Sequence, residues 1–249
     1  MLDRKNVTLV IQGNLTQWTP AFIEEYKKSF DNIVVSTWDD ETIKDDGFRL
    51  VKSQKPEKPG PGNANMQIKS SHEGIIASDT EYTLKIRSDI LIKEPEKWLE
   101  FLSQHLSQNR IFVMGLSHIY PFSARDQFFF GKYEDMKTLF NIPYLQGEYT
   151  PSPSIGGMYP EYWITLLYYA QFSQKVKIFL QNPETYLYGN APLKQHVFDE
   201  WRKIGTTYMY PVSRNLDYYW PKRFGEGKYN YDETAKTYGE FWYDDIISE

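Results

Sequence analysis

No cysteine occurs among the 249 residues of this chain. That excludes disulfides, thiolate nucleophiles and cysteine-held zinc or iron–sulfur centres. Histidine is scarce: there are only 4 (His72, His105, His118 and His196), and no two stand at a metal-ligand spacing such as His-x-x-x-His. No apolar run approaches the roughly 18 residues that a membrane span needs. The polar stretch Met1–Asn6 leads straight into a strand-like segment, so no signal peptide is expected. Positive charge is in deficit, with 28 Lys and Arg against 33 Asp and Glu, net −5. The balance argues against nucleic acid as a partner and against a polybasic membrane anchor. Neither a Gly-x-Ser-x-Gly elbow nor a Walker phosphate loop is present.

Aromatic side chains are abundant, at 17% with 20 Tyr and 7 Trp, and much of this falls after residue 128. Two uses suit them. Rings with a polar tip stack on the apolar face of a sugar, or they pack a loop-rich C-terminal half.

The first half alternates strand and helix. Val7–Gln12 reads as a strand. Thr19 and Pro20 read as the N-cap and first residue of a helix carrying Phe22, Ile23, Tyr26 and Phe30 at helical spacing. Ile33–Trp38 and Phe48–Ser53 read as strands, and 54–65 as a loop rich in Lys, Pro, Gly and Asn. A helix over 65–78 with Ile68, Ile75 and Ile76 inward, a long strand Tyr82–Ile92, a helix over 95–108 and a strand Ile111–Met114 follow. Beyond 115 the pattern loosens, with helices expected at 134–140, 160–174 and 191–204 and a loop at 146–157. Such alternation predicts a mainly parallel sheet flanked by helices, an α/β fold of Rossmann type with an irregular, aromatic-rich C-terminal half. Sheets of this kind bind ligands beyond the carboxyl ends of their strands.

Polar clusters gather at those expected strand ends. In Tyr82–Ile92, Lys85, Arg87 and Asp89 interrupt an apolar run at alternate positions and share one face of a strand. Three charges on one face of a central strand are costly unless they pair or meet a charged ligand. Two cations suit a diphosphate, and a carboxylate suits a divalent metal or a sugar hydroxyl. The alternative is a solvent-facing edge strand with an internal ion pair. Gln12 and Gly13 close the first strand, offering a reading amide and close backbone approach, or simply a turn. Ser36, Thr37 and Trp38 end the second strand, within reach of a ribose or a base. Asn63, Asn65 and Gln67 open a helix, where Asn65 can cap and the helix start favours an anion. Asp126, beside Phe128–Phe130, suits a general base or a sugar ligand, or else a surface pair with Arg125. Glu184 is a second candidate base. His118 follows a strand and is the histidine best placed to approach a site.

Five segments in order resemble the WavE lipopolysaccharide-synthesis family. They are Val10–Leu15 (VIQGNL), Ile33–Trp38 (IVVSTW), Asn63–Ile68 (NANMQI) with Gly74, Lys85–Asp89 (KIRSD) and Asp126–Gly131 (DQFFFG). They span roughly residues 7–140; after that only Pro183–Leu187 is loosely similar. The resemblance implies a GT-A-like glycosyltransferase: one domain over 1–249, with a nucleotide-binding half at 1–115 and an acceptor-binding half at 116–249. It implies a nucleotide-sugar donor and a glycan or glycolipid acceptor. It also implies a cytoplasmic setting with peripheral contact at the inner membrane. Gln12, Gly13, Ser36, Thr37, Asn63, Asn65, Gln67, Lys85 and Arg87 would hold the donor. Asp89 would carry Mn2+ or Mg2+, and Asp126 and Asp89 would be catalytic. The chain departs from the wider pattern in having no Asp-x-Asp. With Arg87 in place of the first carboxylate, phosphate is met either by a metal or directly by a guanidinium. Two other readings are a sugar nucleotidyltransferase, for which a Gly-rich basic loop after the first strand is lacking, and a non-catalytic carbohydrate-binding protein.

Overall fold

The computed structural model describes residues 2–44, 46–117, 121–146, 160–181, 191–213, 215–219, 221 and 240–241. All six residues of Val7–Gln12 (β1) are buried. A strand covered on both faces needs no polar alternation, which is why VTLVIQ reads as a continuous run. Helix Thr19–Tyr26 (α1) leads to Asn32–Trp38 (β2), and Arg49–Ser53 (β3) precedes helix Ala64–Ile76 (α2). Then come Tyr82–Arg87 (β4), Leu91–Ile92 (β5), helix Pro95–His105 (α3), Ile111–Val113 (β6) and Leu116–Ser117 (β7). Phe128–Lys132 (β8), Tyr133–Phe140 (α4), Pro160–Ala170 (α5), Gln174–Gln181 (α6), Ala191–Tyr208 (α7) and Met209–Pro211 (β9) follow. Short strands Tyr218–Tyr219 (β10) and Glu240–Phe241 (β11) come last.

The central sheet has seven strands in the order β3-β2-β1-β4-β8-β6-β9. Every neighbouring pair is parallel except the two that involve β8. The fold is therefore α/β, a mainly parallel sheet between helices. One face carries Leu9, Ile11, Ile33, Val35, Leu84 and Ile86 against α1 and α3. The other carries Val10, Val34 and Phe129 against α2, α4, α5, α6 and α7. Helix α2 lies close on the sheet because position 74 is glycine. A Cβ there would stand 2.5 Å from Val10 Cγ1 and 2.9 Å from Ser36 Cβ.

Three expectations are corrected. The segment 82–92 is not one strand: β4 ends at Arg87 and a turn, closed by Ile90 N–H donating to the Arg87 carbonyl at 3.2 Å, separates it from β5. Ile76 does not join Ile68 and Ile75 inside but is 43% exposed. The hydroxyl of Thr19 does not cap its helix. It accepts from Thr16 N–H at 2.8 Å and donates to the Ser88 carbonyl at 2.9 Å, tying α1 to the end of β4.

In the described C-terminal half the aromatics pack on one another. Phe122 meets Trp201, Phe179 and Tyr169 at centroid distances of 5.3, 6.1 and 6.3 Å. Phe172 stacks on Tyr208 at 4.8 Å. Among the described residues no helix is long and apolar enough to cross a membrane.

Candidate functional site

The chain leaves β1 for β2 on one side and comes back on the other with β4. The carboxyl ends of β1 and β4 thus form a switch point, the place where open α/β sheets take ligands. Gln12 and Arg87 face each other there in register. Because β8 runs the opposite way, it begins at this same edge. Phe128 pairs with Ile86, so Asp126, two residues earlier, arrives beside the end of β4.

Arg87 is the hub. Its Nε donates to Asp89 Oδ1 at 3.0 Å and its Nη2 to Asp89 Oδ2 at 2.8 Å, a bidentate pair. Its Nη1 lies 3.6 Å from Asp126 Oδ2. The Arg87 side chain is 26% exposed, whereas those of Asp89 and Asp126 are 6% and 4%. The cation is thus half-buried and its two carboxylates are enclosed. Burial alone would lower the pKa of Arg87, but the charges of Asp126 and Asp89 outweigh it and hold the guanidinium above its ordinary range. Asp126 is buried on Arg87 and is not a surface partner of its neighbour Arg125.

Lys85 is fully buried, with Nζ 5.3 and 5.7 Å from the ring centroids of Phe129 and Phe140. Its ammonium donates to the backbone carbonyl of Asp126 at 2.6 Å, and Gln67 Nε2 approaches the same oxygen at 3.5 Å. Two elements, β4 and α2, thus hold the Asp126 backbone. Desolvation pushes the Lys85 pKa down to about 7. Unfolding restores an ordinary lysine, so between about pH 7 and 10 the unfolded chain binds the extra proton and stability rises with pH. The contribution is a slope of up to about 1.4 kcal/mol per pH unit. Urea denaturation from pH 6.5 to 9.5 is expected to show Lys85→Met losing that slope relative to the native protein.

The other expected residues divide between surface and interior. Gly13 sits at φ 109°, a left-handed value that favours glycine, and a Cβ there would lie 3.6 Å from Ser88 Oγ. Asn63, also left-handed at φ 68°, is exposed just before α2 and its side chain does not cap the helix. Gln12 accepts from Ser70 Oγ at 2.7 Å. Ser36 is enclosed under Gly74, and Thr37 donates to Glu41, whose Oε2 also accepts from Leu15 N–H at 2.8 Å. Trp38 is buried, its Nε1 donating to Asn14 Oδ1 at 2.5 Å. Asn65 does not cap α2. Its amide donates to the carbonyls of Lys58 at 3.0 Å and Leu145 at 2.9 Å and accepts from Leu145 N–H at 2.8 Å, which ties two loops to the helix start. His118 and Glu184 lie outside the described residues.

Glu161, in the first turn of α5, belongs to the same charged group and carried no sequence signal. A proline followed by an acid is an ordinary helix opening. Burial, then the charge of Asp126, pushes the carboxyl pKa of Glu161 above the usual carboxylate range.

A Mn2+ or Mg2+ ion at a phosphate-transfer site takes one or two protein carboxylates beside substrate phosphates. Among the described residues Asp89 and Asp126 are the carboxylates in contact with Arg87, and both are turned onto it, with the charge of Glu161 acting on the same group. Among the described residues no three Asp, Glu or His side chains gather as metal ligands. Committed to Arg87 in this way, Asp89 and Asp126 do not fit as ligands of a resident divalent ion.

No family model matches the chain, and no curated protein matches it. Solved structures with some likeness include HddC from Yersinia pseudotuberculosis. That protein is 10% identical, with a TM-score of 0.35 over 53% of this chain and 78% of that one, and it is also seen in complex with GMP-PN. Another is glucosyl-3-phosphoglycerate synthase from Mycobacterium tuberculosis in complex with Mn2+, UDP and phosphoglyceric acid. It is 14% identical, with a TM-score of 0.40 over 68% of this chain and 65% of that one. Likeness at this level fixes neither family nor substrate. The sheet and its charged edge define the class, an α/β protein with a cluster of charged residues at the β1–β4 switch point.

Proposed function

We propose that the chain is a glycosyltransferase moving a sugar from a nucleotide-sugar donor to a lipopolysaccharide core or another surface-polysaccharide acceptor, as its resemblance to the WavE family implies. The observation that carries this reading is Arg87, a partly exposed guanidinium at the carboxyl edge of the switch point, where a diphosphate would have backbone and cation together. The nucleoside lies across Gly13, whose missing side chain lets the backbone approach closely, with Asn63 at its margin. Arg87 meets the diphosphate and stabilises it as it departs. Asp126, its backbone held by Lys85 and Gln67, takes the acceptor proton or grips a sugar hydroxyl. Thr37, Asn65 and Gln12 act from behind, holding the segments around the site through their hydrogen bonds, and Ser36 gives α2 its close seat under Gly74.

In this reading the chain is one GT-A-like domain. Residues 1–115 form the donor half and 116–249 the acceptor half, the latter lending β8 and Asp126 to the sheet. A nucleotide-sugar donor places the reaction in the cytoplasm, and a lipid-linked acceptor brings it to the inner face of the inner membrane.

The test is a hydrolysis and transfer screen over UDP-, GDP-, CMP- and ADP-sugars. One donor is expected to release its nucleotide, and Asp126→Asn is expected to lower kcat about 100-fold while leaving KM for that donor no higher. Release of pyrophosphate from a nucleoside triphosphate and a sugar phosphate would instead mark a nucleotidyltransferase. Failure of every donor to bind or react would overturn the reading.

A further inference from the structure

We infer that Arg87 itself takes the place of a divalent cation at the donor diphosphate, and that Asp89 is an exchangeable counter-ion that the diphosphate must displace. The inference rests on the transferase reading above and adds to it how the diphosphate is charged, held and admitted.

Three observations carry it. First, Asp89 spends both carboxylate oxygens on Arg87, at 3.0 and 2.8 Å, and Asp126 stands 3.6 Å away on another guanidinium nitrogen. A divalent ion at Asp89 would have to strip that bidentate pair and then sit next to the guanidinium it displaced, two like charges in a partly desolvated place. Second, the Arg87 side chain is 26% exposed, against 6% and 4% for Asp89 and Asp126. Solvent therefore reaches more of the cationic side chain than of either carboxylate, which favours an arriving anion over an arriving metal ion. Third, Asp89 is outside β4, in the turn closed by Ile90 N–H on the Arg87 carbonyl. Its carboxylate can leave Arg87 by side-chain rotation without breaking the pairing of β4 with β1. Diphosphate and carboxylate present the same acceptor geometry to a guanidinium, so they compete for one fork. In the absence of donor, Asp89 keeps the half-buried cation paired. When donor binds, the diphosphate replaces it.

Competition of this kind gives a sign that a metal site cannot give. Removing the Asp89 charge must strengthen diphosphate binding, because the resting partner holds Arg87 less tightly. Calorimetric titration of UDP, GDP, ADP and CMP in excess EDTA, repeated with Mn2+, reads this directly. The native protein is expected to bind one of these nucleotides in EDTA, with affinity changed less than about twofold by Mn2+. Asp89→Asn is expected to bind it about tenfold more tightly, the scale of a charge-assisted hydrogen bond. Asp126→Asn is expected to tighten binding too, but less, because its contact is a single pair at 3.6 Å. It keeps the inference testable if Asp89→Asn does not fold. Arg87→Gln is expected to lose the binding.

Binding that requires Mn2+ and is weakened by Asp89→Asn would make Asp89 a metal ligand and overturn the inference, leaving the transferase reading intact. Absence of binding by every nucleotide, with and without Mn2+, in native protein and variants alike, would overturn both.

Discussion

Arg87→Ala is expected to destabilise the fold by about 3 kcal/mol and to reduce sugar transfer about a thousandfold. The stability loss comes from what is left behind. The Asp89 and Asp126 side chains are 6% and 4% exposed. Without the guanidinium two carboxylates remain close together in a desolvated place, each lacking its counter-charge. The loss should stop well short of unfolding a domain of ordinary stability, about 5–15 kcal/mol. A double-mutant cycle separates this from lost packing. Asp89→Ala combined with Arg87→Ala is expected to be less destabilising than the sum of the two, since the second change removes a charge that the first left unpaired. Urea denaturation measures the stability terms. The loss of turnover is independent of them and is read at a temperature where both proteins are folded. Additive single and double variants would mean that the 2.8 and 3.0 Å contacts contribute nothing in solution.

Gly74→Ala is expected to reverse the usual sign of a glycine-to-alanine change in a helix. At an open position in α2 alanine would stabilise by about 1 kcal/mol. Here the new Cβ would stand 2.5 Å from Val10 Cγ1 and 2.9 Å from Ser36 Cβ, closer than real Cβ contacts come. Both neighbours belong to central strands and are buried, so neither can swing away. The helix must lift from β1 and β2, and a net destabilisation of about 2 kcal/mol is expected. The shift reaches the site as well. Ser70 Oγ to Gln12 and Gln67 Nε2 to the Asp126 carbonyl both run from α2 to the edge where Arg87 lies. Thermal unfolding and turnover should therefore fall together. A Gly74→Ala protein as stable as the native one would mean that α2 has slack the structure does not show.

Local pattern went a long way in the first half. Continuous apolar runs marked β1 and β2, and helical spacing of Phe22, Ile23 and Tyr26 marked α1. Those signals are strong because each element buries a whole face, and burial imposes its own period. The signal failed where an element owed its place to a distant partner. Nothing local in Phe128–Phe130 says that it inserts antiparallel between β4 and β6. Nothing in Asn65 says that its amide serves Lys58 and Leu145 rather than its own helix. The run of Lys85, Arg87 and Asp89 looked like one strand face because alternation is all a sequence can display. A turn two residues long ended the strand and folded the carboxylate back onto the arginine.

By itself, then, the sequence determined that no thiol chemistry is open to the chain, where most strands and helices of the first half lie, and that charge collects around residues 85–89. Those depend on side-chain type and short-range period, which are written locally. Only the tertiary structure decided that Lys85 is spent on a backbone carbonyl, that Glu161 joins the group and that Asp126 reaches Arg87. Each of these depends on strand order and direction, because β8 brings Asp126 to the edge where β4 ends only by running against it.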